Sequence, residues 1–519
     1  MIHRFKIRRQ IYTERSFIKR LQSFIIILAI FSLTIHSEGY EFEQSHFFDG
    51  DWIVLVNNTT VARNISLGTN ANLSVYGVLK LYNCTFTLNS TFGKIIVAED
   101  ATLEITNSTI ISLYPSEMIL NGYAIIENCL IKNLEIQILS SNVSISNTTV
   151  MESANNGIVI KNSSPILKNN TITSNFKAGI YSESSQALIY ENKIVNNSIG
   201  FVAQNSNDAL LANNISKNRE YGILLANNSE LSIQNNTIFN NNNSGIFLNK
   251  SSALIKNNNI GNNCNWGIEL LDSNAQIENN TLEFNQNGSV VRKWSLKIDV
   301  VNGNNEYVEN VGIAISNVLG TKFWGGIVNG SIVLALPEYE IINNTTVQHS
   351  PYSIYCEKNG VFDTEVIVLN QSKNIKLKLL ADVLIKNIFT PSTTLPNQNI
   401  TIKADFYNPY RIKISARINI SIDSVPLYDS TLLFTENSGI ALNLPWYSTE
   451  GSHKIEVWID QHNLVEELNE TNNYEFRMIE VSEAVITPQP EQQYFQYVLL
   501  TLIVFLFAIA IFLMFGKKF

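Results

Sequence analysis

Residues 157–178 read GIVIKNSSPILKNNTITSNFKA, and Gly179 then begins a variant of the same pattern. Glycines open such units at gaps of 22, 21, 22, 23, 22 and 21 residues, at Gly157, Gly179, Gly200, Gly222, Gly245, Gly267 and Gly288. A period in this range indicates one supersecondary unit that is repeated and stacked. The region from 157 to 288 is therefore predicted to be a solenoid of regular coils.

Further columns recur at constant distances from these glycines. An apolar residue follows each of the first six glycines, at Ile158, Ile180, Phe201, Ile223, Ile246 and Ile268. An asparagine stands 13 or 14 residues after each of these six, at Asn170, Asn192, Asn213, Asn236, Asn258 and Asn280. Aliphatic residues lie three positions before each asparagine, from Leu167 to Ile277, and two positions after it, from Ile172 to Leu282. These columns predict aliphatic and asparagine ladders, in which like side chains of successive coils stack.

The composition of the unit selects among the solenoid types. Leucine-rich and helical repeats need runs of helix-forming residues, whereas this unit consists of short β-branched segments between Asn, Ser and Gly. Three short strands per coil, stacked about 4.8 Å apart, predict a parallel β-helix with a dry interior. We expect the glycines to supply sharp corners. Residues 50–150 repeat the pattern less strictly and are expected to form earlier coils, with Trp52–Val56 as an N-terminal cap.

The glycine-centred repeats resemble the NosD-like right-handed β-helix repeats of carbohydrate-binding and sugar-hydrolase surface proteins. This resemblance implies a surface protein of the archaeal type whose β-helix contacts carbohydrate. A NosD-like role in maturing a metalloenzyme is a further implication, and it rests on the fold alone.

A different pattern follows Gly288. Alternating strands from Trp294 onward predict antiparallel sandwiches, and residues 292–380 resemble the carboxypeptidase-regulatory-like sandwich. The segment Gly451–Asp460, followed by Glu466–Asn473, resembles the end of the CARDB family of extracellular Ig-like, adhesion-related domains. We therefore predict an all-β chain with a signal peptide (1–38), a right-handed parallel β-helix (39–291), a carboxypeptidase-regulatory-like β-sandwich (292–380), a CARDB-like Ig-fold domain (381–482), a linker (483–493), a transmembrane helix (494–515) and a cytoplasmic tail (516–519).

The two ends of the chain carry targeting signals. Positions 1–22 hold seven basic residues and one acidic residue, and the apolar run from Ser23 to Ile35 follows, as in a secretory signal. Residues 498–515 are uninterruptedly apolar and are followed by Lys517 and Lys518, which predicts a membrane-spanning helix with its lysines inside. The expected product is a single-pass membrane protein whose N-terminal ectodomain lies at the cell surface.

Charge and cysteine usage restrict the partners. Without positions 1–22 the formal net charge changes from −9 to −15, so nucleic acid is a poor partner for the ectodomain. The four cysteines form no CxxC pair, so neither a zinc site nor a dense disulfide framework is indicated, and their redox state stays open.

About two dozen Asn-x-Ser/Thr sequons occur in the chain. We expect N-glycosylation on exposed turns, with Asn64, Asn107, Asn343 and Asn419 as candidates. Sequons in the asparagine ladder, such as Asn169 and Asn235, are expected to be too closely packed to accept a glycan.

Acidic residues supply the remaining candidates. Asp208 and Glu230 have the same offset from their glycines in adjacent coils, so two carboxylates about 5 Å apart could bind a cation or act as a catalytic pair. Solvated turn residues pointing apart are the simpler interpretation. In the CARDB-like unit, Asp460, Glu466, Glu467 and Glu470 form an acidic loop that could hold calcium, although the spacing is not that of an EF-hand.

Two functions follow from these features. The first is a non-enzymatic, membrane-anchored surface protein that presents a β-helix face to polysaccharide or envelope proteins, without a required cofactor. The alternative is a polysaccharide lyase, hydrolase or epimerase that uses the β-helix groove. An enzyme needs clustered acid and base groups, and the regular coils contain only two aspartates and no histidine.

Overall fold

The computed structural model describes residues 40–483, 497–507 and 509. The predicted signal peptide, the tail and all of the predicted linker except residue 483 lie outside these residues, and the predicted anchor is described only at 497–507 and 509. The described chain divides into two compact units. The first contains the residues up to Leu296 together with Leu334–Pro351 and Val368–Lys373, and the second contains Lys297–Val333, Tyr352–Ile367 and the residues from Asn374 onward.

The first unit is a solenoid of parallel strands, three to a coil, as predicted. The first strands pair in a twelve-stranded sheet made of Tyr40–Phe42, Thr59–Arg63, Val78–Tyr82, Thr102–Thr106, Tyr123–Glu127, Val143–Ser146, Ile166–Lys168, Leu188–Tyr190, Ala209–Leu211, Glu230–Gln234, Ser252–Lys256 and Asn274–Glu278. The second strands are His46–Phe48, Ser66–Thr69, Thr85–Leu88, Thr149–Met151, Thr171–Thr173, Lys193–Val195, Asn214–Ser216, Thr237–Phe239, Asn259–Gly261 and Thr281–Glu283. The third strands are Trp52–Val54, Leu73–Val75, Lys94–Val97, Ile158–Lys161, Ala178–Glu183, Ile199–Gln204, Ile223–Ala226, Ile246–Asn249, Trp266–Leu271 and Gly288–Val301. In two coils the second and third strands run together, as Thr109–Leu120 and Leu130–Ile138.

The predicted aliphatic columns fill the interior. Leu167 pairs with Ile189, which pairs with Leu210, and all three side chains are fully buried. The column two residues after each asparagine behaves in the same way, with Ile172 in register with Ile194. Coils before residue 157 continue the same interior, which confirms the expectation for residues 50–150.

The glycines have a different role from the one expected. Among the regular coils, only Gly288 has a positive φ, so the glycines do not make the corners. A Cβ on Gly200 would lie 2.5 Å from the carbonyl oxygen of Gly222 and 2.8 Å from Nδ2 of Asn218. Glycine is needed because the backbone passes this close to its neighbours, and not because the chain turns there.

Corners are made instead by residues in the left-handed αL conformation. Asn169 has a φ of 50° and stands between the first and second strands of its coil, while Asn196 has a φ of 57° and follows the second strand of the next coil. Asparagine predominates at these corners because its short polar side chain tolerates αL better than other non-glycine residues do.

Two buried asparagine ladders run along the stack beside these corners. In the predicted ladder, Asn192 Nδ2 donates to the Asn213 Oδ1 oxygen at 3.0 Å and to the Leu167 carbonyl at 2.9 Å. A second ladder, which the sequence analysis missed, lies five residues further along each coil at Asn175, Asn197, Asn218, Asn241, Asn263 and Asn285. The sequence does contain a signal for this second ladder, because its asparagines form a column at a constant distance of five residues from the first column.

The two ends of the solenoid are closed by aromatic and apolar side chains. At the N-terminal end, Trp52 stacks on Phe48 with ring centroids 4.9 Å apart and lies 5.9 Å from the ring of Phe86. Trp52 belongs to a strand of the first coil, and the cap is thus part of the solenoid itself. At the other end, Tyr339 and Ile341 of the hairpin Ser331–Ile342 and Thr345–Gln348 pack against the core.

The second unit consists of antiparallel sheets. One sheet has four strands, Lys322–Val328, Val311–Asn317, Tyr352–Lys358 and Val361–Ile367. Another has three strands, Leu384–Phe389, Asn399–Asn408 and Ser438–Tyr447. A five-stranded sheet follows the order Thr393–Thr394, Tyr474–Val481, Gly451–Ile459, Ile414–Ile422 and Val425–Phe434, in which the first pair is parallel. The segment Lys373–Lys378 is also a strand, and Glu470–Asn472 is a 3₁₀ turn.

The region of the predicted anchor is described only in part. Residues 497–507 are helical and exposed. Within the described residues, no helix has both the length and the apolar character required to cross a membrane.

The ladder makes a prediction about stability. We expect Asn213→Ala to lower the free energy of unfolding by about 3 kcal/mol, because Asn192 and the carbonyl of Ile189 lose buried partners. Asn214→Ala, one residue away but exposed, is expected to cost about 0.5 kcal/mol or less. Urea titration of the full chain, followed by circular dichroism of the β signal, measures both. Equal midpoints for the two variants would contradict a stabilising role for the ladder.

Candidate functional site

The structure does not bring Asp208 and Glu230 together as a pair. Ala209 pairs with Ser232, so Glu230 is displaced by one residue from the position beside Asp208. The displacement arises because this coil has one extra residue, with Asn227 and Asn228 both in the αL conformation. Since one residue of offset reverses the direction of a side chain in a strand, Asp208 is buried and Glu230 is exposed.

Asp208 is a buried acid inside the solenoid wall and not a solvated turn residue. Its Oδ1 oxygen accepts the backbone N–H of Ala187 at 2.7 Å. Its Oδ2 oxygen has no hydrogen-bond partner among the described residues. Burial raises the pKa of Asp208 to about 6.

A groove of about 720 Å³ lies on the outer face of the third strands. Its floor is a row of outward side chains in register on successive coils, namely Val159, Tyr181, Val202 and Leu224. Strand alternation puts these side chains outside while their neighbours fill the core. The Tyr181 hydroxyl donates to the Gln204 Oε1 oxygen at 2.9 Å, which holds the ring in the floor.

The corner that follows the second strands forms one wall of the groove. Phe176 is 65% exposed there, and the guanidinium of Arg219 lies 5.7 Å from the centre of its ring. Arg219 also donates from Nη2 to the Phe176 carbonyl oxygen at 2.8 Å. Lys177, Ser198 and Glu220 continue this wall. The groove therefore combines aromatic faces and charged groups around an apolar floor, as ligand sites commonly do.

Each of the three acidic residues in the groove already has a partner. Glu135 is buried and accepts hydrogen bonds from the backbone N–H and Nδ2 of Asn156. Glu183 forms an ion pair with Lys161, with 3.3 Å between Oε2 and Nζ. Glu220 accepts the Ser198 hydroxyl at 2.9 Å. These contacts fix the positions of the three carboxylates that line the groove.

The acidic loop of the second unit is a structured turn. Asp460 is buried, and its Oδ2 oxygen accepts the Val465 N–H at 2.7 Å. Glu466 is exposed and forms an ion pair with Lys378. Glu470 accepts the Glu467 N–H and the Asn473 Nδ2 group, each at 3.0 Å. Three of the four acids of the predicted calcium loop are thus bonded mainly to other groups of the protein.

An oxygen cluster beside this turn includes Glu467 of the predicted loop and adds Asp382, which the sequence did not single out. It consists of the buried side chains Asp382, Glu467 and Asn473 together with Asn472, whose Nδ2 donates to Asp382 at 3.0 Å. Within the described residues, five of its oxygens have no hydrogen-bond partner: Asp382 Oδ1, Glu467 Oε1 and Oε2, Asn472 Oδ1 and Asn473 Oδ1. Buried acceptors of this kind are rare, because each costs free energy when it is left unpaired.

Electrostatics distinguish Glu467 from the exposed acids. Burial raises its pKa to about 8, and the nearby carboxylates of Glu470, Asp382 and Asp460 raise it as well. Burial also raises the pKa of Asp382. The described residues contain no group of three or more His, Cys, Asp or Glu arranged for a metal ion. This cluster instead combines carboxylate with carboxamide oxygens, which are ligands that calcium accepts.

Two family models match the chain. The model for the right-handed β-helix region matches residues 43–199, 135–282 and 182–324, which together cover more than half of the chain. The chain belongs to the right-handed β-helix family. In this β-helix protein the CARDB model matches residues 380–477, which confirms that resemblance, and the combination of domains fits a cell-surface protein. The matches do not test the NosD-like and archaeal attributes.

Solved structures resemble parts of this β-helix protein. The CARDB domain of the PF1109 protein from Pyrococcus furiosus, in complex with di-metal ions, is 24% identical over 20% of this chain and 94% of that chain, with a TM-score of 0.19. A mutant of the periplasmic alginate epimerase AlgG is 16% identical over 41% of this chain and 61% of that chain, with a TM-score of 0.33. The A-module of the Azotobacter vinelandii mannuronan C-5 epimerase AlgE4 is 13% identical over 43% and 88%, with a TM-score of 0.29. No curated protein matches the chain significantly.

Asp208 makes a prediction about pH dependence. Its folded-state pKa of about 6 lies above the ordinary value of 3.8, so its contribution to stability is present below about pH 4 and is lost as the pH rises through 6. We expect Asp208→Asn to remove this pH-dependent loss of unfolding free energy, which is on the order of 3 kcal/mol. Unfolding free energies of the full chain between pH 3 and 8 measure this slope. Glu230→Gln is the control, and an unchanged slope in Asp208→Asn would contradict the assignment.

Proposed function

We propose that this chain is a membrane-anchored cell-surface protein whose β-helix binds glycan in the groove above Val159, Tyr181, Val202 and Leu224. The anchor is the apolar run 498–515, and the basic, then apolar, N-terminal segment directs export. The β-helix and CARDB combination supports the surface location. Adhesion through the CARDB-like domain is part of the same proposal, with polysaccharide or envelope proteins as partners.

The groove carries the proposal for glycan binding. Sugar rings present apolar C–H faces and a rim of hydroxyl groups. The rings of Tyr181 and Phe176 offer flat apolar surfaces to the C–H faces. Lys177, Arg219 and Glu220 offer hydrogen-bond donors and acceptors to the hydroxyl groups. A volume of about 720 Å³ is within the range of small-ligand sites.

The arrangement of acids favours binding over catalysis. A glycosidase needs two carboxylates that flank one bond, and one of them must be able to give up or take a proton. In the groove, Glu135 and Glu183 are held by Asn156 and Lys161. Epimerase, lyase or hydrolase activity is the alternative, and the same experiment detects it through its products.

Titration of the full chain in detergent with neutral and acidic oligosaccharides tests the groove. We expect Tyr181→Ala to weaken binding about tenfold or more, because Tyr181 is the aromatic member of the floor and offers the flat face for a sugar ring. Tyr190→Ala, on a first strand outside the groove, is the matched control.

Two results would count against glycan binding. One is equal affinity in Tyr181→Ala and the unsubstituted chain, and the other is the absence of binding across the panel. If unsaturated or reducing-end products form during the incubation, the chain is an enzyme, and the alternative function is the correct one.

A calcium site in the CARDB-like domain is a second proposed function, supported by the five unpartnered oxygens. Asp382, Glu467, Asn472 and Asn473 would supply the ligands, and the ion would satisfy acceptors that the protein leaves unpaired. A bound cation would also displace the proton that the raised pKa of Glu467 keeps on this carboxyl group near neutral pH. The predicted ligands Asp460 and Glu470 would then orient the turn, and Glu466 would lie outside the site.

Calcium is expected to raise the midpoint of thermal unfolding of the full chain by several degrees at pH 7.5, since it binds the folded state only. Glu467→Gln should abolish most of this increase, while Glu466→Gln, the exposed neighbour, should retain it. Differential scanning calorimetry with calcium chloride, or with EDTA, measures the effect. An equal response in both variants would exclude Glu467 as a ligand.

A further inference from the structure

One αL corner is repeated in eleven coils and forms a continuous exposed ridge, here called the corner ridge. Its members all have φ between 49° and 58° and stand before the second strand of their coils: Asn64, Asn83, Asn107, Asn128, Asn147, Asn169, Glu191, Ala212, Asn235, Asn257 and Asn279. Every member is exposed, whereas the residue that follows in the regular coils belongs to the buried ladder. The expectation that Asn169 and Asn235 are too closely packed for modification is therefore wrong, because Asn170 and Asn236 are the buried partners.

A second column beside the ridge completes a modification signal. Two residues after the ridge position, at the start of a second strand or of a merged strand, seven coils carry a hydroxyl side chain: Ser66, Thr85, Thr109, Thr149, Thr171, Thr237 and Thr281. None of these side chains is buried. Each completes an Asn-x-Ser/Thr sequon with its ridge asparagine, so seven of the nine ridge asparagines are acceptors by sequence.

The fold itself does not require this combination. Glu191 and Ala212 keep the αL corner without an asparagine. Leu130 and Lys193 occupy the hydroxyl position without disturbing the strand register. Because either column tolerates other residues, the repeated pairing of asparagine with hydroxyl exceeds what stacking needs.

The geometry leaves the reactive atom accessible. Asn169 Nδ2 donates one hydrogen to the Asn147 Oδ1 oxygen at 2.7 Å along the ridge. The amide nitrogen carries a second hydrogen. A substituent that replaces this second hydrogen leaves the bond along the ridge intact.

We propose that the corner ridge is N-glycosylated. The co-reactant is a lipid-linked oligosaccharide phosphate. The Nδ2 nitrogen forms a bond to C1 of its first sugar, and the bond between C1 and the phosphate oxygen breaks. The lipid phosphate leaves with the bonding electron pair, and the proton lost from Nδ2 passes to a base of the transferase. This inference rests on the proposed export of the chain, but it is independent of glycan binding in the groove.

The location of the ridge is compatible with the groove. Asn169 precedes the second strand Thr171–Thr173, and Phe176 of the groove wall follows that strand. Glycans on the ridge would therefore leave from a different corner of the coil than the one that lines the groove.

Stacking limits which sequons are filled together. Successive coils lie about 4.8 Å apart, so glycans on Asn147 and Asn169 would crowd each other. Asn235 and Asn279 are separated by the coil of Asn257, which has no hydroxyl two residues on. We expect nearly complete occupancy at these two isolated sites and about one glycan for the pair Asn147 and Asn169.

Glycopeptide mass spectrometry of the full-length protein purified from its own host tests the ridge. Asn128 and Asn257 are internal controls, because they share the corner but lack the hydroxyl. Thr237→Ala is expected to remove the glycan at Asn235, and Thr237→Ser to retain it. Asn259→Thr creates a sequon at Asn257 and is expected to add one glycan there.

The outcomes separate the ridge from the proposed export. If Asn343 or Asn419 carries glycan and the ridge is bare, the ridge inference is wrong while export stands. If no asparagine is modified and external protease does not reach the chain in intact cells, both fail. Glycan at Asn235 that persists in Thr237→Ala would also overturn the assignment.

Discussion

Each regular coil of the solenoid makes one circuit around an apolar interior in three strands, and the corners between the strands bring polar backbone groups to the edge of that interior. The buried asparagines supply the partners. Asn213 accepts from the backbone and side chain of Asn192 and donates to the Ile189 carbonyl and to Asn236. Because the same bonds recur through the regular coils, the ladders satisfy groups that would otherwise be unpaired. The glycines follow from this arrangement, since a Cβ on Gly200 would collide with Asn218.

The interior constraint leaves the outside of each coil free to vary. Strand alternation directs Tyr181 outward while Ile180 is buried, and successive coils bring Val159, Tyr181 and Val202 into one row. A groove of this kind needs no dedicated loop, because register alone aligns its floor. The exposed corner ridge arises in the same way, one residue away from the buried ladder. Rigid stacking therefore lets surface residues that are far apart in sequence act as a single face.

The second unit shows a different balance. In the solenoid ladders nearly every buried amide is bonded along the stack, whereas five oxygens of the cluster around Glu467 have no hydrogen-bond partner in the part of the chain that the structure describes. The buried carboxyl group responds by holding its proton, as its raised pKa indicates. A polar cluster of this kind is costly without a ligand, and that cost is the reason for assigning a cation to it. The predicted acids Asp460 and Glu470 form the supporting turn instead.

The sequence by itself determined the coil length, the aliphatic columns and the first asparagine ladder, because a period near 22 residues forces like residues to stack. It also identified the CARDB-like domain through the segment Gly451–Asp460. Only the tertiary structure decided the role of the glycines, the second ladder at Asn175 and the exposure of Asn169. Asn169 and Asn170 are adjacent in sequence. The αL conformation at Asn169 exposes its own side chain, while the side chain of Asn170 is buried. The same one-residue sensitivity separated Asp208 from Glu230, since a single extra residue in a coil reverses which side of the strand a carboxylate occupies.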